Sequence, residues 1–302
     1  MDFSTINKFV QDGFVLYDPK INNQTLIKAR DSFEKIIKIC QNQKYKYVRV
    51  YDDYSNLINI AGIEMIFDED LIDQNIINLV EESKIVSIAK KILNNEDFVL
   101  VLSRYHVTKK YTHLGIWHRD AEPNNPDSVQ LNIYLYDETG MEIIPKSHNR
   151  NNSDTEEEIL NKFPYNHIPS QFPIKAKAGD VCIFNPSLIH RGKTTKDRVH
   201  LHFRFIKKKK LNKKSFLIDK SFLKKFDIEN ELLTVISNSL DYENRKLRNE
   251  HVFKNNIRSK LLRLVRRFLH TFLFFLPIQN KLNSFFSVRP CLNKRSIFKI
   301  KN

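Results

Sequence analysis

Between residues 98 and 206 apolar side chains gather in short runs bounded by turn formers, at 98–102, 129–136, 141–144, 180–184 and 199–206. Runs of this length and spacing predict strands of an antiparallel sandwich or barrel. The period changes nearer the N-terminus. Residues 25–40 and 71–93 carry apolar side chains three and four apart, as at Ile76, Leu79, Ile85, Ile88 and Ile92, which predicts helices. Residues 1–95 therefore read as mainly helical with a short strand or two. Proline supports the division, since seven of the ten prolines lie between Pro123 and Pro186.

A third pattern follows residue 206. Lys207 to Lys210 are four consecutive lysines, and after a polar stretch comes an amphipathic segment at 257–276. Ile257, Leu261, Leu264, Val265, Phe268, Leu269, Phe272 and Leu276 share one helical face, with Lys260, Arg263, Arg266, Arg267 and His270 opposite. Its unbroken apolar part, 271–276, falls far short of the roughly 20 residues of a spanning helix. The expected organisation is a domain at 1–206, with helical support to about 95 and a β core from 96, and a basic helical extension at 207–302.

Charge sharpens this picture. The formal net charge is +15, and residues 207–302 hold 24 Lys and Arg against 7 Asp and Glu, so the excess lies in the last third. That asymmetry predicts an anionic partner for the extension. A basic face opposite Leu and Phe suits an anionic membrane surface or packing on the core; nucleic acid fits less well, since no recognition motif is present. With 41% hydrophobic and 11% aromatic residues the chain can bury a core, which excludes global disorder. No basic start with a long apolar run opens the sequence, so a cytoplasmic, unsecreted protein is expected. Cys40, Cys182 and Cys291 are odd in number and dispersed, which argues against a disulfide framework or a cysteine-rich zinc site.

The sharpest chemical signal is Trp117-His118-Arg119-Asp120. Strand residues two apart point to one side, so His118 and Asp120 would project together, as two of the three ligands of a non-haem iron facial triad. A third ligand should be a histidine on a later strand. His190, after the strand-like run 179–184 and a turn at Asn185-Pro186, is the best placed; His148, His200 and His202 are weaker choices. Arg198, beginning the next strand, could grip a cosubstrate carboxylate with two hydrogen bonds, with Arg204 as the fallback.

Across roughly 9–206 the chain resembles the phytanoyl-CoA dioxygenase-like family of iron(II)/2-oxoglutarate oxygenases. Four stretches match in order: Asp12-Gly13-Phe14-Val15-Leu16, Trp117 to Asp120, Gly140 to Ile144 running into Pro145-Lys146-Ser147-His148, and Gly179-Asp180 leading to His190-Arg191-Gly192. The resemblance implies an α+β chain with a double-stranded β-helix, a cupin-like jelly roll, at its core. It implies His118, Asp120 and His190 on Fe(II), Arg198 as the 2-oxoglutarate anchor, and Asn132 touching the cosubstrate. The implied reaction consumes O2, decarboxylates 2-oxoglutarate to succinate and hydroxylates a substrate; the membrane reading of the basic extension adds lipids and lipid-linked sugars to small molecules as the expected substrate classes. Departures are Arg119, where the family commonly has Gln, Lys146 in place of a usual Gly, and a short segment from His190 to Arg198.

Two other readings compete. His118-Arg119-Asp120 followed by Asn125 also fits a protein-kinase catalytic loop, but the six glycines form no glycine-rich loop and no Asp-Phe-Gly follows. A cupin-like peripheral membrane or nucleic-acid adaptor without turnover would keep the barrel and lose the chemistry.

Overall fold

The computed structural model describes residues 2–42, 48–51, 59–64, 66–67, 71–108, 117–162, 166–192, 198–210, 216–217, 221–238 and 240–241. In chain order its elements are α1 (Phe3–Asp12), β1 (Phe14–Tyr17), α2 (Asn23–Asn42), β2 (Val48–Tyr51), β3 (Asn59–Glu64), α3 (Gln74–Glu82) and α4 (Ile85–Ile92). There follow β4 (Phe98–Thr108), β5 (Ser128–Tyr134), β6 (Glu138–Ile143), α5 (Asp154–Lys162), β7 (Phe172–Ala176), β8 (Val181–Phe184), β9 (His190–Arg191) and β10 (Arg198–Lys207). β11 (Phe216–Leu217), α6 (Asn230–Ser237) and β12 (Leu240–Asp241) complete the set.

Strand alternation organises these elements. On β10, Leu201, Phe203 and Phe205 leave one face while His200, His202 and Arg204 leave the other. β5 repeats the pattern in register: Gln130, Asn132 and Tyr134 stand opposite Arg204, His202 and His200, with Val129, Leu131 and Ile133 on the apolar side. That apolar face packs against the buried faces of α2, α3 and α4 through Leu26, Phe33, Ile76, Leu79 and Ile88. The polar series faces a second sheet, where Tyr134, Cys182 and Phe184 meet Met141, Ile143 and Ile174.

Among the described residues the first sheet runs β1-β8-β5-β10-β4-β3-β2 and the second β7-β6-β9, every neighbouring pair antiparallel. An isolated bridge adds His118 beside His190 on the second sheet. Two facing antiparallel sheets with this strand order make the expected double-stranded β-helix, with helices on the outer face.

The N-terminal region contributes three strands as well as its helices, and all three join the first sheet. β7 has no counterpart among the expected strands, because Pro173 and Lys175 dilute its apolar pattern and only Ile174 and Ala176 turn inward. An edge position tolerates that proline. After residue 206, Leu223, Leu232 and Ile236 are buried in the principal core. The expected amphipathic helix at 257–276 lies outside the described residues. Among the described residues no helix is long and apolar enough to cross a membrane.

The motif residues Asp12-Gly13 link α1 to the second sheet. Gly13 ends α1 at φ 82°, a backbone that glycine adopts without strain. Its carbonyl accepts from Asn185 N at 2.8 Å, and the Asp12 carbonyl accepts from Lys146 N at 2.8 Å.

Candidate metal centre

The segment bearing His118 and Asp120 is held at several points. Trp117 is fully buried, its Nε1 donates to the Asn166 carbonyl at 2.8 Å, and the Arg191 guanidinium lies 4.2 Å over its ring. His118 and His190 exchange backbone hydrogen bonds in both directions, at 3.0 and 2.9 Å. The amides of Asp120 and Ala121 both donate to the Pro186 carbonyl, at 2.8 and 3.1 Å. The turn 185–189, which presents His190, is thereby stitched to the strand that presents the other two side chains.

These bonds bring one ligand atom from each of His118, Asp120 and His190 within 4.8 Å of one another. His118 Nε2 lies 3.9 Å from Asp120 Oδ1, and His190 Nε2 lies 3.7 Å from Asp120 Oδ2. The Leu188 carbonyl, 2.9 Å from His190 Nδ1, can only accept, so it fixes the proton on Nδ1 and leaves the Nε2 lone pair facing the cluster. Side-chain exposure is 9% at His190, 17% at His118 and 34% at Asp120, so the cluster opens on the Asp120 side.

Electrostatics keep both groups in their metal-binding forms. Burial lowers the His190 pKa, His118 lowers it further, and the result is about 4 despite the opposing pull of Asp120. Burial alone would raise the Asp120 pKa; charge interactions with His190, His118 and Arg204 and a hydrogen bond from Gln130 outweigh it and hold the carboxyl well below its ordinary range. At neutral pH the site offers an ionised carboxylate beside a neutral imidazole.

The inner face of the first sheet surrounds this cluster with polar groups. Gln130 Nε2 donates to Asp120 Oδ2 at 2.6 Å, and Arg204 Nη2 donates to the Asp120 carbonyl at 3.2 Å. One register step further in, His202 Nδ1 meets Asn132 Oδ1 at 2.7 Å; beyond it His200 Nδ1 lies 3.4 Å from Glu138 Oε2 and stacks on His106 at 4.7 Å. The sequence candidates thus divide. His118, Asp120 and His190 converge, with Arg204 beside them. Asn132 is on the same face, engaged with His202, and Arg198 heads β10 opposite Thr108. His148 turns away to the Val10 carbonyl at 3.1 Å. Gln130 escaped sequence reasoning, although its position two residues before Asn132 on one strand face is a usable signal.

Comparison with known proteins agrees with this geometry. The sequence profile of the family described as phytanoyl-CoA dioxygenase (PhyH) matches residues 9–199. The chain belongs to that family. It is an iron(II)- and 2-oxoglutarate-dependent dioxygenase, with iron(II) as cofactor and 2-oxoglutarate as cosubstrate. No curated protein matches it in sequence. Among solved structures, HygX from Streptomyces hygroscopicus with nickel and 2-oxoglutarate bound superposes with a TM-score of 0.51 at 13% identity, covering 69% of this chain and 88% of that one. EctD from S. alaskensis with 2-oxoglutarate and 5-hydroxyectoine gives 0.50 at 16% identity, covering 68% and 76%. Both share the fold. Two imidazoles and one carboxylate on one open side are the donor set that suits non-haem iron(II) with coordination positions left for cosubstrate and oxygen, so the residues present fit the metal.

Proposed function

We propose that His118, Asp120 and His190 hold iron(II) and that this PhyH-family enzyme hydroxylates a small molecule, with lipids and lipid-linked sugars among the substrate classes. When bound, iron(II) supplies the redox chemistry that couples decarboxylation of 2-oxoglutarate to succinate with oxidation of the substrate. The convergence of the three donor atoms within 4.8 Å, from segments far apart in sequence, carries the reading.

The chain's own residues have distinct tasks. Asp120 supplies the negative charge, Gln130 orients its carboxylate, and the Leu188 carbonyl presents His190 by its Nε2. Arg204, whose Nη2 donates to the Asp120 carbonyl at 3.2 Å, stands close enough to the metal ligands to take the far carboxylate of 2-oxoglutarate, the role that the family resemblance implies for Arg198. The two arginines stand six residues apart on β10, roughly 20 Å along an extended strand and more than the length of 2-oxoglutarate, so their effects on cosubstrate binding are separable. The excess of basic residues after 206 is the proposed contact with an anionic membrane surface.

The deciding experiment needs no substrate. Iron(II) and then 2-oxoglutarate are added to the apoprotein without oxygen, and the visible metal-to-ligand charge-transfer band is recorded. The expected band disappears in His118→Ala, Asp120→Ala and His190→Ala, and Arg204→Met weakens cosubstrate affinity more than Arg198→Met. A folded wild-type protein that loads iron but gives no band with 2-oxoglutarate would overturn the assignment. Equal effects of the two arginine changes would remove the Arg204 role alone.

A further inference from the structure

Arg119 lies between two of the proposed ligands yet turns away from both. Strand alternation sends it to the outer side of the segment, where its guanidinium is largely buried. Nη1 donates to the Ser147 carbonyl at 2.6 Å and to the Ser187 carbonyl. Nε and Nη2 both donate to Asn152 Oδ1, at 2.9 and 2.7 Å, and Nη2 reaches the Arg150 carbonyl at 3.3 Å. Each of these acceptors is neutral. Of the carboxylates around it, Glu156 pairs with Arg150 at 2.7 Å and Glu157 accepts from Asn152 at 2.7 Å, while Glu122 acts on it through charge. A desolvated cation held by carbonyls is a costly way to stabilise a fold, whereas a planar fork fixes several backbone positions at once.

The bonded positions are those that place His190. Ser187 O is held by Arg119, Leu188 O by His190 Nδ1, and Ile189 N donates to Ser147 Oγ at 2.9 Å, beside the Ser147 carbonyl that Arg119 also holds. The other face of the same turn is joined to Asp120 and Ala121 through Pro186.

We propose that Arg119 is a positioning residue for the metal centre: its guanidinium braces the His118–Asp120 segment against the 187–189 turn and so sets the distance between the first two donors and His190. The inference rests on the metal reading above.

The test measures cobalt(II) binding to the apoprotein in place of iron(II), by titration and by the visible ligand-field spectrum, with circular dichroism as the check on folding. Arg119→Ala is expected to lose about 10- to 100-fold in metal affinity, the range found for residues that orient ligands, and to change the spectrum. Arg119→Lys keeps the charge and one nitrogen that can serve the two carbonyls but loses the Nε and Nη2 donors to Asn152 and Arg150, so an intermediate loss is expected. Val86→Ala, a remote change in the core under α4, serves as the reference for destabilisation alone and is expected to retain the wild-type affinity and spectrum. Folded Arg119→Ala or Arg119→Lys protein with wild-type affinity and spectrum overturns the proposal, and so does failure of both variants to fold, which would make the role purely structural. Wild-type protein that takes up no cobalt(II) sinks the metal reading itself.

Discussion

Gln130 reaches from β5 to donate a 2.6 Å hydrogen bond from its Nε2 to Asp120 Oδ2. The bond spans from the first sheet to the ligand-bearing segment beside the second, and it restricts rotation of the carboxylate.

Gln130→Leu should therefore weaken metal binding by about 10- to 100-fold while leaving the fold intact, as expected for a residue that orients a ligand. Gln130→Glu should be worse at neutral pH, because a second carboxylate beside Asp120 favours its protonated form. Cobalt(II) titration of the two variants checks both. Equal affinities for wild type and Gln130→Leu would show that the bond does not orient the ligand.

Two turn positions should respond in opposite directions. A Cβ added at Gly13 would lie 2.4 Å from His148 Nδ1 and 2.9 Å from Leu188 Cδ2. Gly13→Ala should cost more than the roughly 1–2 kcal/mol of the left-handed backbone alone. Lys146 is exposed and adopts φ 65°, so Lys146→Gly should gain up to about 1 kcal/mol after the entropic penalty of glycine. Urea unfolding measures both, and stabilisation by Gly13→Ala would contradict the geometry.

The Arg191 side chain is 1% exposed and its Nε donates to Glu142 Oε2 at 2.6 Å. Removing the acid strands a buried cation, so Glu142→Leu should destabilise by about 3–5 kcal/mol. The double change Glu142→Leu with Arg191→Met should recover most of that loss, since a packed apolar pair needs no charge partner. Additive losses in this cycle would refute the coupling.

Acid should destabilise the apoprotein well above the ordinary carboxylate range. Burial first, then Arg104 and His200, keeps the His202 pKa well below its ordinary value, and His190 is lowered to about 4. The unfolded chain takes up protons near pH 6.5 that the folded chain refuses, so this stability is complete above about 6.5 and is lost as pH falls. Each such histidine adds a slope of up to about 1.4 kcal/mol per pH unit between its unfolded and folded values. Denaturant unfolding from pH 7 to 5 should show the decline, with a shallower slope in His202→Gln. A flat wild-type profile is the contrary result.

Much of the fold was legible because the strand and helix periods are local. The alternation of Val129, Leu131 and Ile133 with Gln130, Asn132 and Tyr134 marks a strand without reference to its neighbours. β7 was not legible, since an edge strand holding Pro173 and Lys175 takes its pairing from β6 rather than from its own pattern. In the site, spacing alone put His118 and Asp120 on one side. Spacing ranked His190 ahead of His148, His200 and His202 but could not show that it reaches the other two.

By itself the sequence determined the strand and helix periods, the His118-x-Asp120 pair and the family motifs, because each depends on residues close together in the chain. Only the tertiary structure decided that His190 completes the cluster, that Gln130 and Arg204 attend Asp120, and that Arg119 turns outward to the 187–189 turn. Those relationships arise from sheet register and from hydrogen bonds between distant segments, such as the paired amides of His118 and His190. Register is set by burying both faces of β5 and β10 at once, a condition on the whole packed barrel that no local pattern contains.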